Sequence, residues 1–222
     1  MKCVVTAGPT YEPLDEVRRL TNFSTGKLGS LLANHLAHVG HDVTLLLGEY
    51  ATYSGAQESQ RVVRFGTTGD LAKQMESLAA GVDAVYHAAA VNDFGFGKIF
   101  SRGADGGLQE VSAGKLSTRV GTLLAELKPT PKIIAQLRGW FPTAALVGWK
   151  YEVDGGREDV LARAERQIHD TGVDACVANG PAYGFGFGLA GAGGRLHFSD
   201  TIGLFTALEK LGATRVRSGP RP

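Results

Sequence analysis

Residues 2–40 read KCVVTAGPTYEPLDEVRRLTNFSTGKLGSLLANHLAHVG, and the fold is decided there. Lys2 to Thr6 make a short apolar run with two adjacent valines, the mark of a buried strand. Gly8 and Pro9 then open a long polar loop, and a helical pattern begins near Gly26. In that pattern Leu28, Leu31, Leu32, Leu36 and Val39 share one apolar stripe. Ser24 and Thr25 are natural caps for the helix, and Gly40 stops it. A strand, a glycine turn and a helix opening on Gly26-Lys27-Leu28-Gly29 leave backbone N–H groups where an anion could sit. This is the opening of a chain that handles nucleotides.

The ordinary dinucleotide fingerprint packs G-x-G-x-x-G into the turn itself. Here some nineteen residues separate the strand from Gly26, and Glu12, Asp15, Glu16, Arg18, Arg19 and Asn22 are among them. The phosphate loop of NTPases, G-x-x-x-x-G-K-S/T, does not occur in the chain. So long and polar a loop inside a βα unit is functional or disordered, and we read it as a substrate loop.

Outward from this unit, strands and helices alternate. His41–Leu47 and Arg61–Phe65 read as strands, and Leu71–Leu78 as a helix capped by Gly69 and Asp70. Val82–Ala89 reads as a further strand ending in small residues. The alternation implies a Rossmann-like α/β fold with a doubly wound, mostly parallel sheet, whose ligands collect at the carboxyl ends of the strands. Residues 94–114 break the pattern with six glycines and no sustained period, so an exposed, mobile flap is expected, with paired edge strands following from Lys115 to Leu127. Pro129 and Pro131 start a helix over Lys132–Trp140. Thr143–Trp149 is a core strand, Glu158–His169 a charged surface helix and Val173–Val177 another strand. Gly184–Gly194 reads as a second glycine-rich loop, Arg195–Phe198 as a terminal strand, and Asp200 caps a helix through Leu211. Domain organisation is then a single nucleotide-binding unit over 1–212, with a flap at 94–115 and a disordered basic tail at 213–222.

Composition bounds the function. The 222 residues carry a net charge of +1, which points to neither nucleic acid nor a membrane surface. No apolar run reaches the roughly eighteen residues of a membrane span, and no export signal is expected before the first strand. Cys3 and Cys176 both fall in expected strands, which reads as buried, reduced thiols and a cytoplasmic setting. His35, His38 and His41 recur at threefold spacing without an accompanying cysteine or carboxylate, so no metal site is read there. There is no G-x-S-x-G elbow to support a hydrolase. Glu49 lies where a ribose-binding acid of an NAD(P)-dependent reductase would lie, and the pattern leaves dinucleotide and mononucleotide readings open. Arg18, Lys27, Lys115, Lys128 and Lys132 fall in loops or at element ends, where together they could neutralise several phosphates.

The strings TAGPTYEPLDEVRRLTNFSTGKLG, HAAAVNDF, GKLST, LKPTPKIIAQLRGWFPTAALVGWKYEVD and DACVANG, in this order, resemble the phosphopantothenoylcysteine synthetases, the phosphopantothenate–cysteine ligases of coenzyme A synthesis. The spacing of Arg18, Asn22, Ser24, Gly26 and Gly29 is the specific part of the likeness, which is nearest to the stand-alone bacterial form. The resemblance implies a ligase that joins 4′-phosphopantothenate to L-cysteine through an acyl-cytidylate, consuming CTP to CMP and pyrophosphate. A cytoplasmic homodimer, with Mg²⁺ carried by the triphosphate, comes with it. It further implies that Asn22 holds the acyl-cytidylate carbonyl beside Arg18, and that Lys115 reaches the phosphates from the flap. Gly8, Ser24, Gly26, Lys27, Ala89, Ala90, Asp93, Pro131, Lys132, Ile133, Ile134, Trp149 and Arg166 would line the nucleotide. The chain also departs from the family pattern. Two lysines common on the helix before the last core strand are not matched, since Arg166 or Gln167 stands near the first place and Asp170 or Thr171 near the second. Asn92 replaces a small residue and Gly180 an aspartate. A relative that binds nucleotide without catalysis is the further alternative.

Overall fold

A computed structural model describes residues 1–218. The chain opens with strand β1 (Lys2–Ala7), hairpin strands β2 (Tyr11–Pro13) and β3 (Arg19–Thr21), and helix α1 (Lys27–His38). Next come β4 (Asp42–Gly48), β5 (Arg61–Phe65), α2 (Thr68–Ser77) and β6 (Ala84–His87). An arm of β7 (Phe94–Arg102), β8 (Leu108–Glu110) and β9 (Leu123–Pro129) precedes α3 (Ile133–Trp140) and β10 (Ala145–Tyr151). The chain finishes with α4 (Arg157–Thr171), β11 (Ala175–Asn179), β12 (Phe187–Gly191), β13 (Gly194–Phe198) and α5 (Thr201–Ser218).

Eight strands form one sheet in the order β13-β12-β11-β10-β6-β1-β4-β5. The six from β11 to β5 pair in parallel, and β12 and β13 add an antiparallel edge. Chain order runs outward from β1 to β5 and then returns to β6 on the other side of β1, so the expected doubly wound sheet is present. Both faces are buried. Cys3, Val5, Leu45, Leu47, Tyr86, Val147 and Val177 point to one core with α1 and α5. Their alternates Val4, Leu46, Val85 and Leu146 point to the other, with α2 and α3. The two cysteines are buried and free, and burial pushes each thiol up to about 12.

Close contact between α1 and β1 explains Gly29, because a Cβ there would lie 2.6 Å from the Ala7 Cβ and 3.0 Å from the Thr6 carbonyl. The cap of α1 differs from the expectation. Gly26, at φ 78°, is the N-cap residue, and Thr25 Oγ1 accepts from the Lys27 N–H at 3.3 Å, while Ser24 caps nothing. In α2 the cap is Thr67, which accepts from the Asp70 N–H, rather than Gly69 or Asp70.

Four segments depart further from the sequence reading. The loop after β1 holds the β2–β3 hairpin, fixed by partners far along the chain: Tyr11 N–H donates to Gly66 O and Glu16 N–H to Gly114 O. The flap over 94–114 is not irregular, because β7 pairs antiparallel with β8 and β9, with a bulge between Phe96 and Ile99. Most of that arm is exposed or half-buried. The glycine-rich loop at 184–194 is largely the β12–β13 hairpin. Helix α5 continues to Ser218, so residues 213–218 of the expected disordered tail are helical, because no glycine or proline interrupts them, and residues 219–222 lie outside the described residues. Among the described residues no helix is long and apolar enough to cross a membrane.

Candidate active site

A cavity of about 650 Å³ opens beyond the carboxyl ends of β6 and β10, walled by α3 and α4. Its floor begins at His87, the last residue of β6, which is 5% exposed. His87 Nδ1 lies 2.9 Å from the Thr6 hydroxyl on β1, and the same hydroxyl accepts from the Ala89 N–H at 3.1 Å. Thr6 is fully buried, so its own proton is best spent on Nδ1, which places the imidazole proton on Nε2. Burial lowers the His87 pKa to about 4, so the ring is neutral near pH 7.

Past β6 the chain runs through Ala89, Ala90, Asn92 and Asp93, and Asn92 is its hub. The Asn92 N–H donates to Thr10 Oγ1 at 2.8 Å, its Nδ2 donates to Leu20 O at 3.0 Å, and its carbonyl accepts from Thr130 Oγ1. Its Oδ1 accepts from Asn22 Nδ2 at 2.9 Å, and Asn22 Nδ2 also donates to Ala90 O at 3.1 Å. Both neighbours are acceptors, so the orientation of the Asn22 amide is fixed by the network. The resemblance implies that Asn22 holds an acyl carbonyl, and here its amide is engaged with Ala90 and Asn92. Both of its N–H groups are committed, and Oδ1 is the atom left for a ligand.

Of the expected nucleotide-binding residues, Ala89, Asp93, Pro131, Lys132, Ile133, Ile134, Trp149 and Arg166 line this cavity. Asp93 pairs with Lys132 across its mouth. Trp149 reaches the cavity wall beside Gln167, which donates to its carbonyl, while its indole packs on the α1 and α5 side of the sheet, where its buried Nε1–H has no partner among the described residues. Gly8, Ser24, Gly26, Lys27 and Ala90 are not in its wall. Gly8 and Gly26 instead sit against each other with φ near +80°, where a Cβ at Gly26 would lie 3.3 Å from the Gly8 Cα. Arg18 and Lys115 are placed apart from it too, in a second cavity of about 520 Å³ shared with Val17, Leu116, Ser117 and Thr118. There Arg18 grips Asp15 at 2.6 Å and donates to Leu116 O at 2.6 Å. Asp15 also accepts from the N–H groups of Val17, Arg18 and Leu116, which hold its carboxyl far below the usual range, the Leu116 N–H first among them.

The sequence reading did not single out His87, Lys150 or Arg163, all of which line the first cavity. A lysine at the carboxyl end of a core strand was the available signal for Lys150, and an arginine three residues before Arg166 was the signal for Arg163. Gln167, at one of the unmatched lysine places, lines the wall with its Nε2 donating to Cys176 Sγ and to Trp149 O.

Residues 1–201 match the family model described as "DNA/pantothenate metabolism flavoprotein C-terminal domain". The chain belongs to that family. Membership bears out the resemblance to the phosphopantothenoylcysteine synthetases. The chain is 33% identical over 180 residues to the coenzyme A biosynthesis bifunctional protein CoaBC of Thermococcus kodakarensis, covering 80% of this chain and 41% of that protein. It thus spans less than half the length of this curated relative. Among solved structures it is similar to the DNA/pantothenate metabolism flavoprotein of Streptococcus pneumoniae, with a TM-score of 0.81, 25% identity and coverage of 96% of this chain and 99% of that one. A mutant of Cab2 in complex with phosphopantothenate-cysteine shares the fold at a TM-score of 0.74 and 17% identity, over 98% of this chain and 88% of that one.

Proposed function

We propose that this domain is the ligase of coenzyme A synthesis that joins 4′-phosphopantothenate to L-cysteine at the expense of CTP. The observation that carries the reading is the junction of Asn22 with Asn92, which ties the substrate loop to the wall of a cavity lined by Lys132, Lys150, Arg163 and Arg166. A carboxylate is a poor electrophile until one of its oxygens belongs to a leaving group. In the proposed first step a carboxylate oxygen attacks the α-phosphorus of CTP and pyrophosphate departs. In the second, the amine nitrogen of cysteine attacks the acyl carbon, the bond from that carbon to the bridging oxygen breaks, CMP leaves and the nitrogen loses a proton.

The chain's own groups would divide this work. The cationic wall offsets charge on the triphosphate. The His87 Nε2–H offers a neutral donor inside the cavity. Asn22 Oδ1 accepts from the incoming amine and orients it. Lys115 reaches the phosphates when the β7–β9 arm moves over the ligands, and Arg18, which shares its cavity, meets them there. The cavity carboxylates are already engaged, Asp93 with Lys132 and Asp170 with His169. Among the described residues no group of three or more ligating side chains gathers, so Mg²⁺ is proposed to enter on the triphosphate and to shield its charge there. A cytoplasmic homodimer is proposed alongside, and light scattering of the purified chain tests its dimeric part. The function itself is tested by pyrophosphate release. Release from CTP only when phosphopantothenate is present supports the reading, and release independent of the acid, or none, overturns it.

A further inference from the structure

Strand alternation places Gly148, Lys150 and Glu152 successively on the face of the sheet covered by α3 and α4. A Cβ at Gly148 would meet Gln167 of α4 at 2.6 Å and Ile134 of α3 at 2.7 Å, which fixes that face. Lys150 therefore emerges from the carboxyl end of β10 into the cavity, beside α4. Glu152 holds two cations there: Lys150 Nζ at 3.2 Å and Arg163. Arg166, one helical turn beyond Arg163, lines the same wall and has no ion pair among the described residues. Farther along α4 the cavity-facing positions are Asp170 and Thr171, and the Thr171 hydroxyl is spent on Gln167 O at 2.7 Å. Positive charge is thus concentrated at one end of the cavity, where three cations face a single carboxylate.

We propose that Lys150 is a polyphosphate-binding residue that exchanges Glu152 for the ligand. The assignment rests on the nucleotide-dependent reading above and adds to it the group that grips the β- and γ-phosphates from the strand rather than from the helix. An ammonium on a flexible stem is suited to such an exchange, because it loses one point contact and gains another without a fixed fork geometry. Arg163 and Arg166 supply the forked contacts that phosphate oxygens favour.

Binding of CTP and of CMP, measured by calorimetry on the wild type and on Lys150→Gln, tests the proposal. The expected result is a loss of at least tenfold in CTP affinity with less than a twofold change for CMP, and recovery of most of the loss in Lys150→Arg. Glu152→Gln is expected to bind CTP as tightly as the wild type or more tightly, since its two cations are released. Equal losses for CTP and CMP, no loss, or a weakened Glu152→Gln would each overturn the assignment. Failure of the wild type to bind CTP overturns the nucleotide-dependent reading as well, whereas wild-type binding with an unaffected Lys150→Gln overturns this proposal alone.

Discussion

The His87 imidazole and the Thr6 hydroxyl meet at 2.9 Å across the parallel pair β1 and β6, next to the point where the winding of the sheet reverses. The pair holds a neutral ring at the floor of the cavity, and its neutrality has a thermodynamic consequence. Burial lowers the His87 pKa from 6.5 to about 4, so on acidification the unfolded chain takes up a proton that the native state refuses. Stability is then unaffected above the unfolded value and falls as pH drops from 6.5 toward about 4. Between about pH 7 and about pH 5 this group should cost the native state about 2 kcal/mol. Denaturant unfolding of the wild type and of His87→Gln at both pH values checks it. The variant should lose that part of the pH dependence, and an unchanged slope would refute the buried neutral state.

Asn22→Asp should leave carboxylate activation but block amide formation. The introduced carboxylate brings lone pairs against Ala90 O and Asn92 Oδ1, both of which accept from Asn22 in the native protein, so it cannot occupy the same pose. The acyl-nucleotidylate should accumulate and be detectable by mass spectrometry. Normal product formation would remove Asn22 from the site.

Gly29→Ala should destabilise the protein by about 1–3 kcal/mol, because overpacking at a close backbone contact forces the elements apart. The new methyl would sit 2.6 Å from Ala7 Cβ, and α1 would have to lift from β1. Thermal unfolding measures the effect, and a change under about 0.5 kcal/mol would show that α1 yields freely.

Asp15→Asn should loosen the segment around Leu116, since the carboxylate joins the hairpin turn to that segment through Arg18 and the Leu116 N–H. Trypsin cleavage at Lys115 and Arg119 should quicken in the variant. Saturating CTP should slow cleavage between Phe94 and Lys115 in the wild type if the arm closes over the nucleotide. Equal cutting with and without CTP would leave the arm without a part in closure.

The parallel sheet was legible because a strand buried on both faces writes its own apolar run, as in Cys3–Val5 and Leu45–Leu47. The β2–β3 hairpin was not, because its backbone partners, Gly66 and Gly114, are remote in sequence. The β7–β9 pairing hid for the same reason, with Gly95 and Gly97 diluting any period-two signal in a strand that is mostly half-buried. In the site, Trp149, Asp93 and the Pro131–Ile134 turn were placed by motif, and all line the cavity. His87 and Lys150 lie within HAAAVNDF and LKPTPKIIAQLRGWFPTAALVGWKYEVD but were not singled out, since their significance depends on which strand ends meet across the sheet. Arg18 was expected beside the acyl carbonyl and Lys115 at the phosphates, and the two share a cavity apart from the first one.

The proposed chemistry requires that a carboxylate oxygen become bonded to the α-phosphorus of CTP before cysteine attacks. Phosphopantothenate labelled with ¹⁸O in its carboxylate puts that requirement to the test. When the acyl–oxygen bond breaks, one labelled oxygen must leave with the nucleotide, so CMP carrying a single ¹⁸O is the expected product beside phosphopantothenoylcysteine. Unlabelled CMP, or label appearing in inorganic phosphate, would contradict an acyl-cytidylate.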